Sequence, residues 1–174
     1  METLRRWNWF LLFISILFFC ACNPKAIPLR GNYPESPVSS IVTLPADSVI
    51  SRIVSYFDQH NMPIRSLDRK IGLIVSEDVP MTWTYEDKEG HLLKPESFVV
   101  IPHTVYSGSN KAIPPRNIVG EWNIRIIDGK ISISLFNMQA RFSTTDQTRA
   151  ALDYVRRDGK STGVFEKRIT DLIN

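Results

Sequence analysis

The chain has 174 residues, 43% of them hydrophobic, with 21 basic and 18 acidic side chains for a net charge of +3. That length supports one domain around one hydrophobic core, and the charge is too evenly balanced to mark a polyanion-binding surface by itself. Only two cysteines are present, Cys20 and Cys22, so no disulfide framework can be drawn across the chain.

The N-terminus has three parts in order: Arg5-Arg6, an apolar run from Trp7 to Phe19, and then Cys20-Ala21-Cys22. Charged, apolar, small is the order of a bacterial export signal. The apolar run falls short of the roughly twenty residues a spanning helix needs, and Asn23, Pro24 and Lys25 follow it at once. A cleaved signal is therefore favoured over an uncleaved membrane anchor. Ala21-Cys22 resembles the end of a lipobox, the motif of bacterial lipoproteins in which a small residue precedes the cysteine that receives lipid. The resemblance implies a signal peptide over 1–21, lipid on Cys22 and attachment to a membrane; an ordinary secretory signal is the alternative. Asn23 rather than Asp after the cysteine is compatible with the outer membrane, facing the periplasm, where that sorting signal operates. Lipidation of Cys22 and loss of Cys20 would leave no free thiol, which removes cysteine nucleophiles, disulfides and Cys-ligated zinc together.

Cleavage before Cys22 takes two of the 21 basic and one of the 18 acidic residues, a net of +2. From Cys22 to about residue 38, Pro24, Pro28, Gly31, Pro34 and Pro37 lie among polar residues without apolar periodicity, the composition of a tether. Extended at about 3.1 Å per residue, it would reach roughly 50 Å. A single α+β domain is expected over 39–174.

Within it, "SIVTLP" is a short β-rich run, and Pro45 suits the first turn of a helix to about Gln59 with Val49, Ile53, Val54 and Phe57 as its buried stripe. Asn61 and Pro63 end it. "PIRSLDRKIGLIVSE" supplies two strands about a turn near Asp68 to Lys70, with the register left open by the alternation. "VPMTWTYEDKEGH" alternates as a half-buried strand, Met81, Trp83 and Tyr85 on one face and Thr82, Thr84 and Glu86 on the other. "ESFVVIP" is another strand, and the stretch from Pro102 to Gly120 reads as an exposed loop.

"GEWNIRIIDGKISISLFN" is a hairpin about Asp128-Gly129, a dipeptide suited to a two-residue type I′ turn. That turn pairs Ile127 with Lys130, Ile126 with Ile131, Ile124 with Ile133 and Trp122 with Leu135, and gathers the apolar residues on one face. "STGVFEKRITDLIN" is a helix capped by Ser161 and Thr162, with Val164, Phe165, Ile169, Leu172 and Ile173 as its stripe. Two amphipathic helices bracketing five or six antiparallel strands predict an α+β fold with both helices packed on one face of the sheet.

"SLDRKIGLIVSE" after a helix, with Asp68, Gly72, Ile74 and Ser76 at its key positions, resembles a pattern of small periplasmic lipoprotein domains, as "STGVFEKRI" resembles the start of their C-terminal helix. The layout is similar to the helix-grip domain of BamC-type lipoproteins of the outer-membrane assembly machinery. The resemblance implies a binding or scaffolding module without catalytic residues, and carries no functional side chain over to this chain.

The remaining candidates for chemistry are sparse. No GxSxG or SxxK is present; Ser107 and Ser109 follow His103 within a loop, where serines are ordinary. His60, His91 and His103 form no HxxxH or HExxH pair, and Asp87, Glu89 and His91 surround Gly90 as solvated turn residues would. No catalytic residue, metal site or cofactor is assigned. Trp83, Tyr85 and Trp122 could form a sugar-binding platform, although alternating aromatics on strands are more often core. The basic C-terminal third (Arg149, Arg156, Arg157, Lys160, Lys167, Arg168) could favour acidic lipid or polysaccharide, but its interleaved acids make a solvated face the simpler reading. If one sheet face stays uncovered, Thr82, Thr84, Arg125, Ser132 and Ser134 form the surface for an envelope protein or glycan partner. Nucleic acid is not expected there. The resulting expectation is a lipid-anchored, non-catalytic binding module; the alternative is an envelope hydrolase.

Overall fold

The computed structural model describes residues 25–105, 114–144 and 152–174. Cys20, Cys22, Ser107, Ser109 and Arg149 lie outside the described residues. The chain divides into two compact units, Met1–Pro28 with His103–Ile113, and Leu29–Pro102 with Pro114–Asn174. In the first, β1 (Lys25–Ala26) pairs antiparallel with β8 (Thr104–Val105), and the Ile27 N–H donates to the His103 carbonyl at 2.9 Å.

The larger unit begins inside the stretch expected to be a tether. Its first strand, β2 (Val38–Ile41), precedes helix α1 (Ala46–Gln59). Pro45 stands just outside that helix, and its carbonyl accepts from the Ser48 and Val49 N–H groups, so it opens the first turn without occupying it. The buried stripe is Val49, Ile50, Ile53 and Phe57; Val54, expected in it, is only half-buried because the stripe is centred one residue earlier. Asn61 at φ 51° ends the helix in the left-handed conformation.

A seven-stranded antiparallel sheet follows, in the order β11 (Leu152–Arg156), β10 (Lys130–Thr144), β9 (Asn117–Ile127), β4 (Leu73–Ser76), β3 (Ile64–Asp68); β2 also pairs with β10, and β5 (Val79–Pro80) with β9. A smaller three-stranded sheet joins β12 (Lys160–Ser161), β7 (Val99–Val100) and β6 (Trp83–Thr84). The fold is α+β, with more strands than the five or six expected. The long strand expected from Val79 onward is broken after Pro80, and Thr84 and Glu86, expected on its solvent face, are buried. Part of the expected loop 102–120 is strand, since β8 and the first residues of β9 fall within it.

The β9–β10 hairpin has the expected register, from Ile127 opposite Lys130 to Trp122 opposite Leu135. Asp128 (φ 50°) and Gly129 (φ 71°) both adopt the left-handed conformation of a type I′ turn. Trp122, Ile124, Ile126, Ile131 and Ile133 are buried, joined by Ile74 of β4. Helix α2 (Val164–Ile173) sets Phe165 against this surface: its ring stacks on Trp122 with centroids 3.9 Å apart, and meets Phe57 of α1 edge-on at 6.2 Å. The residue before α2 is Gly163 at φ 86°, and Ser161 and Thr162 bond the N–H groups of Gly163 and Val164 without capping the helix itself. Val164 and Leu172, expected in the α2 stripe, are half-buried, whereas Glu166 is buried beside Phe165, Ile169 and Ile173.

The positions that carried the periplasmic-lipoprotein resemblance have local structural tasks. Asp68 accepts from the Lys70 and Ile71 N–H groups in the β3–β4 turn, and Ser76 Oγ accepts from the Trp122 N–H at 2.8 Å. Gly72 sits at φ 63°, and a Cβ there would come within 2.1 Å of the Ile126 carbonyl oxygen. Gly129 has only the conformational constraint, with its nearest neighbour 3.6 Å away. Gly129→Ala should therefore cost about 1 kcal/mol, and Gly72→Ala should exceed it, at about 3 kcal/mol or more from strain plus overpacking. Urea unfolding of the two variants ranks them, and a Gly72→Ala cost equal to that of Gly129→Ala removes the close contact from this account.

Candidate functional site

Three chain segments converge on an open cleft of about 580 Å³: Tyr33 to Ser36, Leu135 to Met138, and Arg157 to Ser161. Each is shaped by backbone features that hydrophobic periodicity does not display. Between Phe136 and Gln139 the β9–β10 register shifts, so β10 carries an extra residue there and Asn137 takes a positive φ of 49°. Gly120, opposite this bulge, lets it approach: a Cβ there would lie 3.0 to 3.3 Å from Met81, Leu135 and Met138. Gly159 serves the third segment in the same way, with space for a Cβ already taken by Met138 Cε at 2.4 Å.

Glu121 holds the bulge in place. Its side chain is buried, accepts from Asn137 Nδ2 at 3.0 Å, and takes both terminal nitrogens of Arg65, Nη1 at 2.9 Å and Nη2 closer still. Arg65 is itself the extra residue of a second bulge, where Ile64 pairs with Ser76 and Ser66 with Val75. Two irregularities on strands either side of β9 thus aim their side chains at one carboxylate. The Arg65 and Asn137 hydrogen bonds keep the Glu121 carboxyl below its ordinary range.

A second buried carboxylate, Glu86, fixes the first wall. It accepts from the backbone N–H groups of Arg30 (2.8 Å) and Gly31 (2.7 Å) and from the Tyr33 hydroxyl. Burial opposes its ionisation, but the hydrogen bonds from Tyr33, Arg30 and Gly31 together prevail and lower its pKa. Burial, reinforced by the Glu86 charge, raises the Tyr33 phenol. Behind the third wall lies Glu166, 3% exposed, with Oε2 unpartnered. Burial raises its pKa despite a hydrogen bond with Ser161, which lines the cleft. Of the lining residues, Arg157 and Lys160 are exposed cations and Glu35 an exposed anion, and Arg156 pairs with Asp158 in the adjoining stretch. This lining can grip an anionic or hydrogen-bonding group of a partner.

The residues expected to form a partner surface are not gathered into one. Arg125 and Ser132 are cross-strand partners on the large sheet, with Arg125 exposed and Ser132 half-buried. Ser134 is on the same face but buried. Thr82 and Thr84 belong to the smaller sheet's surroundings: Thr82 is exposed, whereas Thr84 is 2% exposed and holds the Lys94 N–H and the Tyr85 carbonyl. Thr84 and Ser134 are corrected from contact residues to internal ones, because their hydroxyls satisfy nearby backbone. Ile41, Ile127 and Phe136 share the Arg125 face by register and are exposed. Trp122 is fully buried, so it takes no part in a sugar platform; Trp83 and Tyr85 are half-buried and meet edge-on at 5.2 Å. Burial also pushes the Tyr85 phenol up to about 12.

The histidines stand apart in three settings. His60 stacks on Tyr56, His91 bonds Asp87 within its turn, and His103 belongs to the smaller unit. Asp87 receives the His91 and Glu89 N–H groups, which lower its pKa, and Gly90 takes the turn at φ 94°. Among the described residues, no three His, Cys, Asp or Glu side chains are grouped to hold a metal ion, and no helix is long and apolar enough to cross a membrane. No family model, curated protein or solved structure matches this chain.

Of the three buried carboxylates with shifted pKa values, Glu121 and Glu166 predict opposite pH behaviour. Glu121 has a lowered folded pKa, so its contribution is complete above the ordinary 4.5 and disappears as pH falls through the folded value. From about pH 6 to about pH 3, wild type should lose more unfolding free energy than Glu121→Gln. Glu166 has a raised folded pKa, so its ionisation penalises folding only above the ordinary 4.5. Glu166→Gln should match wild type at about pH 4 and gain on it at about pH 7. Urea midpoints at these values check both, and a Glu166→Gln gain independent of pH contradicts the burial argument.

Proposed function

We propose that the chain is a lipid-anchored lipoprotein of the bacterial cell envelope, held to a membrane by lipid on Cys22, whose folded unit is a non-catalytic module that binds an envelope protein or glycan. The observation that carries this reading is the cleft of Tyr33–Ser36, Leu135–Met138 and Arg157–Ser161, a concave surface of mixed polar and apolar lining bordered by two exposed cations. In this reading both helices pack on the face of the large sheet that bears Trp122 and Ile124. The Trp122–Phe165 stack and the Phe57–Phe165 contact support that arrangement, with Ile41, Arg125, Ile127 and Phe136 exposed on the other face.

The lipid follows from additive burial. Each methylene contributes about 0.8 kcal/mol, so two or more chains anchor stably where one holds weakly. Glu86 and Glu121 favour binding over chemistry because both are engaged in holding segments in place.

Cross-linking in intact cells, followed by identification of the attached protein or glycan, tests the module. Arg157→Glu with Lys160→Glu should reduce the specific adduct at least tenfold, about 1.4 kcal/mol of binding, while Arg125→Glu changes it less. Equal loss in both moves the contact to the sheet face, and no specific adduct in wild type removes the module reading. For the anchor, intact mass should show lipid on wild type and on Cys20→Ser but none on Cys22→Ser. Wild-type protein without lipid on Cys22 overturns that part.

A further inference from the structure

The first wall of the cleft differs from the other two. Leu135 to Met138 belong to a central strand and Arg157 to Ser161 run into the smaller sheet, whereas residues 29–35 contain no helix or strand. Their position depends on Glu86, whose two oxygens are shared among three donors from this segment: Oε2 takes the Arg30 N–H, and Oε1 takes the Gly31 N–H and the Tyr33 hydroxyl. The Arg30 guanidinium adds a bond to the Lys88 carbonyl, in the turn that follows Glu86. Glu86 is set by its own neighbourhood, an isolated bridge to Leu92 and the turn through Asp87 and Gly90. Gly31 packs so closely that a Cβ would come within 2.6 Å of Tyr33 Oη and 2.8 Å of Glu86 Oε1.

We propose that residues 29–34 are a strap, fastened to the folded unit by the Glu86 carboxylate with the Arg30–Lys88 bond beside it and Pro34 close to Gly163, and that releasing Glu86 from it dismantles one wall of the cleft. The strap stands on the geometry alone; its control of partner binding rests on the cleft being the partner site. An ionised carboxylate accepting two backbone N–H groups and a hydroxyl is a strong and local fastening. The segment has few other ways to satisfy those donors except water, so releasing the carboxylate exposes them together. Regulation would consist of shifting the strap between fastened and open populations, with the partner favouring the fastened one.

Arg30 offers a direct readout, because trypsin cuts after it only when the backbone there can leave the surface. In the full chain, the appearance of a fragment beginning at Gly31 is timed against cleavage after Arg69 and Lys70 in the exposed β3–β4 turn. Glu86→Gln, which keeps shape but removes charge and one acceptor, and Gly31→Ala, which breaks the packing from the strap side, should each speed the Arg30 cut at least tenfold relative to that reference. Tyr33→Phe should give a smaller increase, since it removes one bond of three. Unchanged relative rates in both Glu86→Gln and Gly31→Ala overturn the strap. If Glu86→Gln unfolds the whole unit, Gly31→Ala decides: a rise confined to Arg30 supports the strap, and a rise at every site overturns it. Partner cross-linking that falls at least tenfold in Gly31→Ala supports control of the cleft. An open strap with undiminished cross-linking overturns that control and the cleft as partner site, while leaving the strap itself established.

Discussion

The stacking of Phe165 on Trp122 ties the C-terminal helix to the large sheet, and most of the larger unit is organised around it. Phe57 brings α1 to the same ring, and Phe98 meets both Phe165 and Trp122 from the side of the smaller sheet. Four aromatic side chains from four parts of the chain thus share one centre, where their large apolar area gives more stabilisation than any exposed ion pair here. The Trp122 N–H is held by Ser76, so β4 aligns the strand that presents the ring. The indole nitrogen itself lacks a partner, an unfavourable feature that the surrounding apolar contact must outweigh.

The neighbouring residue works on the opposite side of the same strand. Glu121 alternates with Trp122, and there it collects Arg65 and Asn137 from two bulged strands. A regular ladder would send those side chains elsewhere. The bulges and the buried carboxylate depend on each other: the bulges supply donors that make the buried charge tolerable, and the charge holds the bulges in register. The cleft is a consequence of that exchange, because the Asn137 bulge forms one of its walls.

Much of the fold was legible where two independent signals coincide. The β9–β10 register follows from alternation and from Asp128-Gly129 together, and α1 follows from its apolar spacing between Pro45 and Asn61. The candidate site was far less legible. Arg65 and Asn137 matter because each strand has one extra residue, and an extra residue leaves a sequence pattern as acceptable as before. Glu86 and Thr84 fit a clean polar and apolar alternation, which predicts a solvent face for both. They are internal because the strand breaks after Pro80: Thr84 then pairs with β7 and bonds the Lys94 N–H, and Glu86 takes the donors of Arg30, Gly31 and Tyr33. Glu166 falls inside an apolar stripe, between Phe165 and Ile169, and that position was the one available sign that a carboxyl there would be buried.

The pairing of Val38–Ile41 with Ile133–Lys130 has a consequence for the order in which the chain folds. The β9–β10 hairpin closes through a two-residue turn and can form in about 1–10 μs, but β2 must find its partner across about half of the chain. The loop-closure cost grows only slowly with that separation, so it delays folding more than it weakens the product. In a chain made from its N-terminus, β2 exists long before Lys130 does, with its backbone groups unpaired in the interval. Its short length and the two serines of "VSSI" make it a poor template for pairing with other chains during that wait.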